Sequence, residues 1–73
     1  MDMATRVRVA RQRAGMTQGQ LASRVGVTRG AVANWEVTAR PKPSVSNLVE
    51  VANTTDVSIE WLATGRGGIV LSG

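Results

Sequence analysis

The side chains that most often do chemistry in proteins are largely missing from this 73-residue sequence. It contains no cysteine and no histidine, which excludes a zinc finger and any active site built on a thiol or an imidazole. Its five carboxylates are scattered along the chain, and without histidine they cannot join a nucleophile–base pair. We therefore expect no enzyme, and no site for a metal, a cofactor or a small molecule.

The segment GVTRGAVANWE, residues 26–36, offers a different chemistry. Val32 and Trp35 are three positions apart, so both lie on one face of a helix. The opposite face then carries Arg29, Gly30, Ala33 and Asn34. Arginine and asparagine can make paired hydrogen bonds to guanine and adenine edges, and an alanine methyl can contact a thymine methyl. The two smallest residues let the helix approach closely, so the pattern predicts a helix that reads base edges in double-stranded DNA.

The distribution of charge agrees with a polyanionic partner. The chain has a net charge of +4. Residues 1–42 carry eight basic and two acidic side chains, whereas residues 43–73 carry one basic and three acidic side chains. A basic half beside a mildly acidic half favours a nucleic acid on one side only, although a well-solvated surface would have the same charge.

Helix signals recur along the chain and predict the elements that must position this segment. Residues 2–14 form a first helix that stops at Gly15, and the third, fourth and fifth helices begin after Thr28, Ser44 and Ser58. Thr17 begins the second, with Gln20 completing a capping box, and Gly26 ends it. The inward residues are expected to be Met3, Val7, Ala10 and Ala14, then Leu21, Ala22 and Val25, then Val45, Leu48, Val51 and Ala52, then Ile59 and Leu62. The prediction is an all-α, compact five-helix domain.

The short link between the second and third helices is typical of a helix-turn-helix. With it, QGQLASRVGVTRGAVANWE (residues 18–36) resembles the lambda-repressor-like family, which includes phage repressors, Cro proteins and XRE-type bacterial regulators. RVRVARQRAGMTQ resembles the first helix of that family, and PSVSNLVEVANTTDVSIEWLATG resembles its fourth and fifth helices. The resemblance covers most of the chain.

The resemblance implies a role for each matching residue. In the major groove, the base edges would be faced by Arg29, Gly30, Ala33 and Asn34. The DNA phosphates would be contacted by Thr17, Gln18, Thr28, Arg40 and Lys42. Arg11 and Glu36 would form a partly buried ion pair that ties the first helix to the end of the third. Arg6, Arg8, Arg13 and Arg24 are expected to be solvated, with only long-range electrostatic effects.

Three departures from the family pattern stand out. Val37, Thr38 and Ala39 replace the glycine or asparagine that usually follows the third helix, which leaves the path of the next loop open. Thr55 takes the place of a core leucine, so we expect looser packing at the end of the fourth helix. Gly30 replaces a longer reading side chain, so base specificity would rest on Arg29 and Asn34.

We expect a DNA-binding domain over residues 1–66 and a tail over residues 67–73. Nothing obvious covers the apolar residues Ile69, Val70 and Leu71. They are expected either to form a dimer contact or to belong to a disordered terminus or linker. A homodimer would place two reading helices about 34 Å apart on a palindromic operator.

The expected function is a repressor of the phage or XRE type that blocks polymerase. Two alternatives stay open: an antitoxin that represses its own operon, and a protein-interaction module that does not read DNA. The chain lacks a long apolar run and a signal peptide, which indicates no membrane partner. It is expected in the cytoplasm of a bacterial or phage-infected cell, at the nucleoid.

Overall fold

The computed structural model describes residues 1–70 and contains five α-helices in this part of the chain. They are α1 (Met3–Arg13), α2 (Gln18–Val25), α3 (Arg29–Val37), α4 (Val45–Thr55) and α5 (Ile59–Thr64). The prediction of an all-α, five-helix domain is therefore confirmed. Over the described residues, none of the helices has the apolar length that a membrane-spanning segment requires.

Local signals place the ends of these helices. A side-chain oxygen at each N-cap accepts a hydrogen bond from the backbone N–H three residues later, and the five caps are Asp2, Thr17, Thr28, Ser44 and Ser58. The predicted capping box is present in α2, where Thr17 Oγ1 accepts from the N–H of Gln20 at 3.1 Å and Gln20 Oε1 accepts from the N–H of Thr17 at 2.9 Å. Each cap satisfies a backbone donor that the helix itself leaves unpaired.

The hydrophobic core draws on all five helices. Its buried members are Val7, Ala10, Leu21, Ala22, Val32, Trp35, Leu48, Val51, Ala52, Val57, Trp61 and Leu62. Three residues predicted to face inward are instead exposed, namely Ala14, Val45 and Ile59. Val45 and Ile59 are the first residues of their helices and Ala14 follows the last residue of α1. All three therefore lie beyond the segments that pack against neighbouring helices.

Thr55 does not loosen the end of α4 as the sequence suggested. It is 6% exposed, comparable to Leu48 at 8%. Its hydroxyl donates to the carbonyl oxygen of Val51 at 2.7 Å, so the polar group is satisfied within its own helix. A threonine can therefore be buried at a position where an aliphatic side chain was expected.

The tail returns to the start of α5. The N–H of Ser58 donates to the carbonyl oxygen of Ile69 at 2.8 Å, and Val57 pairs with Val70 in an isolated antiparallel bridge. Ile69 packs against the core, so the expectation that nothing covers it was wrong, while Val70 remains 38% exposed. Leu71, the third residue of the apolar run, lies outside the described residues, and the boundary after residue 66 stays a prediction.

Candidate nucleic-acid interface

The third helix presents the predicted face to solvent. Its inner side is anchored by Val32, Trp35 and Glu36, which are all buried. On the opposite side, Arg29 and Gly30 are exposed, and Ala33 and Asn34 are half-buried. The structure therefore brings all four predicted base-reading residues to the outer surface of one helix.

A tight turn sets the position of α3 relative to α2. Gly26 ends α2 in the left-handed region with φ of 86°, and its N–H donates to the carbonyl oxygen of Ala22 at 2.8 Å. The N–H of Val27 donates to the same oxygen at 3.0 Å. Val27 is partly buried against the core, and Ala22 is buried where the helices meet. Backbone hydrogen bonds and packing together thus hold α3 in its position relative to α2.

Arg29 lies beside the first turn of α2. A methyl group placed on Gly19 would lie 3.9 Å from Arg29 Cδ, so the aliphatic part of the arginine passes over that residue. The N-terminal turns of α2 and α3 both carry partial positive charge from their unpaired backbone N–H groups. An exposed guanidinium next to two such helix ends is well placed to meet an anionic backbone and the base edges beside it.

Arg11 and Glu36 join α1 to the end of α3. Arg11 Nε and Nη2 donate to Glu36 Oε2 and Oε1 at 2.7 and 2.9 Å, and Arg11 Nη1 donates to the carbonyl oxygen of Met16 at 2.9 Å. The two side chains are 14% and 3% exposed. Hydrogen bonding to Glu36 raises the pKa of Arg11 above its ordinary value. The ion pair is thus a structural clamp, as the resemblance implied.

Gln18, a predicted phosphate contact, is tied into the same cluster. Its Nε2 donates to Glu36 Oε1 at 3.2 Å, which uses one of the two amide hydrogens. The other hydrogen remains available to a DNA phosphate. Thr17 and Thr28, also predicted contacts, are exposed at the N-caps of α2 and α3, where each hydroxyl accepts a backbone N–H from its own helix. Their hydroxyl hydrogens remain free to donate.

The loop after α3, whose path the sequence left open, is also held by hydrogen bonds. The N–H groups of Thr38 and Ala39 both donate to the carbonyl oxygen of Asn34, at 3.0 and 3.2 Å. Ala39 is buried and adopts φ of 50°. Arg40 and Lys42, the two predicted phosphate contacts of this loop, are exposed beyond it. The loop therefore exposes two cations just after α3, and the Arg40 backbone is bonded to Asn34 on the outer face of that helix.

One prediction about the basic residues was wrong. Arg6 is not solvated: it is 8% exposed, and its Nε and Nη2 donate to the carbonyl oxygens of Leu62 and Ala63 at 2.9 and 3.3 Å. Its Nη1 donates to the carbonyl oxygen of Met1. The sequence did contain a signal, because Arg6 lies four positions before the buried Ala10 and therefore on the inner side of α1. Arg8, Arg13 and Arg24 are exposed, as expected.

Comparison with known proteins agrees with this geometry. The helix-turn-helix family model matches residues 7–62. A helix-turn-helix-type transcriptional regulator of Haemophilus influenzae is 47% identical over 47 residues, which are 64% of this chain and 19% of the relative. The regulator YqaE of Bacillus subtilis is 32% identical over 56 residues, which are 77% of this chain and 47% of the relative. The chain thus spans about a fifth and about half of the lengths of these two relatives.

The fold also matches a solved protein–DNA complex. The P22 c2 repressor in complex with a synthetic operator superimposes with a TM-score of 0.81 at 27% identity, over 90% of this chain and 98% of the repressor chain. Together with the family match over residues 7–62, this similarity places the chain among DNA-binding transcriptional regulators, a group that does not consist of enzymes. The chain belongs to the lambda-repressor-like helix-turn-helix family.

Proposed function

We propose that this chain is a sequence-specific, double-stranded-DNA-binding transcriptional regulator, a repressor of the phage or XRE type. The observation that carries the proposal is the outer face of α3. It presents a long cation, Arg29, and the small residues Gly30 and Ala33 beside the capped N-termini of two helices. Small residues let the helix enter the major groove, and arginine is the side chain that most often reads guanine. The P22 c2 repressor, of similar fold, is bound to an operator.

The phosphate contacts surround this face. In the proposed complex Thr17, Gln18 and Thr28 meet the backbone at the N-termini of α2 and α3, where the helix dipoles favour an anion. Arg40 and Lys42 run along the backbone on the other side of α3. These contacts position the domain and supply much of its affinity, and they make binding strongly dependent on salt.

A homodimer on a palindromic operator completes the proposal. One helix reads only a few base pairs, too few to select a site in a genome. The start of α5 and the tail offer an apolar contact, because Ile59 and Val70 are 41% and 38% exposed and the Ser58–Ile69 hydrogen bond draws the two segments together. An operator occupied by the dimer would exclude polymerase by steric block.

Selection from a random duplex pool at near-physiological salt tests the proposal. The expected result is a palindrome with half-site centres about one helical turn apart. Arg29→Ala should remove the preference for one G in each half-site. Arg66→Ala is the matched control, since it removes the same charge from the exposed surface outside the basic half and should leave the preference intact. Salt-sensitive binding without an enriched sequence would contradict the proposal and favour a protein-interaction module.

A further inference from the structure

Asn34 carries the most informative hydrogen bond on the proposed DNA-binding face. Its side-chain Nδ2 donates to the carbonyl oxygen of Arg40 at 3.0 Å. Its backbone carbonyl oxygen accepts hydrogen bonds from the N–H groups of Thr38 and Ala39. Asn34 therefore contacts the following loop through both its side chain and its backbone.

The loop needs such contacts in order to keep its shape. Ala39 adopts φ of 50°, in the left-handed region that a residue with a side chain seldom occupies, and it is 7% exposed. A conformation of this kind persists only when the surroundings hold it. The N–H of Arg40 also donates to Thr38 Oγ1 at 3.2 Å. The Asn34 amide and the Thr38 hydroxyl thus hold the C=O and the N–H of the same residue, Arg40.

This arrangement restricts what the Asn34 amide can do at a base edge. Bidentate recognition of adenine needs the amide oxygen and one amide hydrogen to point together at the base. One of the two hydrogens of Nδ2 is directed at the Arg40 carbonyl. The amide oxygen and the second hydrogen can meet a base while this bond is kept only in the orientations that keep Nδ2 against the Arg40 carbonyl. A turn of the amide toward a base that breaks the bond would also release the loop.

We propose that Asn34 is a positioning residue that holds the Arg40–Lys42 loop, residues 40–42, against the end of α3, and that base discrimination by α3 rests on Arg29. This inference rests on the proposed function and assigns Asn34 a role other than the base reading that the sequence suggested. The loop carries two exposed cations, so its position decides how many phosphates they meet. Loss of the Asn34 amide should then act on affinity through the backbone of DNA and not through its sequence.

The principal test measures binding of Asn34→Ala to the selected operator and to each single-base-pair variant, over a range of salt concentrations. The expected loss is about three- to tenfold and equal on every sequence. The slope of log K against log salt should fall by about one, as it should in Arg40→Ala. Asn34→Ala should add less than about twofold in an Arg40→Ala/Lys42→Ala background, because the loop that the amide holds then carries no cation.

Two further variants separate this effect from general damage to the domain. Thr38→Ala removes the other bond to Arg40 and should also weaken binding equally on all sequences. Asn53→Ala makes the same substitution at an exposed position of α4 and should leave affinity and salt dependence unchanged. A preference that changes at one base pair in Asn34→Ala, with the salt slope unchanged, overturns the inference. A full additional loss from Asn34→Ala in the Arg40→Ala/Lys42→Ala background overturns it as well.

A measurement without DNA keeps the inference separate from the proposed function. In Asn34→Ala, the amide hydrogens of Ala39 and Arg40 should exchange about tenfold faster, while those in the middle of α1 stay protected. Unchanged exchange at both loop amides overturns the positioning role even if DNA binding is sequence-specific. Faster loop exchange in a protein that selects no DNA sequence supports the positioning role and contradicts the proposed function.

Discussion

Two arginines on α1 connect that helix to two different helices by different chemistry. Arg11 meets the carboxylate of Glu36 at the end of α3. Arg6, one and a half turns earlier, meets the backbone carbonyl oxygens of Leu62 and Ala63 in the last turn of α5. Those carbonyls have no partner within their own helix and lie at its negative end. One clamp is therefore an ion pair, and the other is a cation on a helix C-terminus.

The difference decides how each clamp responds to mutation. An ion pair has two side chains, so both can be replaced together by apolar groups that need no partner. The carbonyl oxygens that Arg6 satisfies belong to the backbone and cannot be removed. The partner of Arg11 is thus a single side chain that a mutation can replace. The partners of Arg6 are backbone atoms that no substitution removes.

The largest expected effect is on the ion pair. Glu36→Leu leaves the guanidinium of Arg11 nearly buried without a counter-charge and should lower the free energy of unfolding by about 3–5 kcal/mol. Arg11→Met combined with Glu36→Leu should recover most of that loss, because neither charge then remains buried. Chemical denaturation of the two variants and the wild type measures both values. A double variant that is no more stable than Glu36→Leu would contradict this account of the clamp.

The second effect is on the cation at the end of α5. Arg6→Met keeps the apolar stem but leaves the carbonyl oxygens of Leu62 and Ala63 without their side-chain donor, which should cost about 2–3 kcal/mol. Arg8→Met is the matched control on the exposed side of α1 and should change the free energy of unfolding by less than about 0.5 kcal/mol. Equal effects of the two substitutions in denaturant titrations would show that the α5 clamp is not stabilising.

Two glycines sharpen the same contrast. Gly15 and Gly65 both adopt positive φ, 69° and 79°, so alanine is strained at each by about 1–2 kcal/mol. A Cβ at Gly15 meets nothing within 4 Å, whereas a Cβ at Gly65 would lie 3.2 Å from Arg6 Nη1. Gly65→Ala should therefore cost about 1 kcal/mol more than Gly15→Ala. In an Arg6→Met background that excess should disappear. Thermal unfolding of both glycine variants, in the wild-type and in the Arg6→Met background, measures it. An excess that persists without Arg6 would show that contact with Arg6 is not its cause.

The smallest effect concerns the charge that caps α1 near Arg6. The hydrogen bond that the Asp2 carboxylate accepts from the N–H of Thr5 lowers the pKa of Asp2 below its ordinary value. The carboxylate therefore stabilises the fold above its unfolded pKa of about 3.9, and this stabilisation is lost as the pH falls through the folded value. The difference in Tm between wild type and Asp2→Ala should be constant near neutral pH and shrink in acid. A difference that grows below about pH 4 would have the wrong sign.

The helices and the outer face of α3 followed from short-range patterns. A threonine or serine cap acts on an N–H three residues away, and a glycine stop acts on the turn just before it, so both are visible in the printed sequence. The positions of Val32 and Trp35 likewise predict which side of α3 faces outward. These features were predicted because every partner lies within about one helical turn.

The environments of Arg6, Asn34, Val45 and Ile69 depended on the packed fold. The partners of Arg6 lie 56 and 57 residues away in the sequence, and the exposure of Val45 depends on where the neighbouring helices end. Asn34 has its partner only six residues away, but the contact exists because the loop doubles back through a left-handed alanine. A pattern of residue types specifies which face of a helix is apolar. It does not specify which carbonyl oxygen of another segment that face will meet, because this depends on how the helices pack and where the loops between them turn.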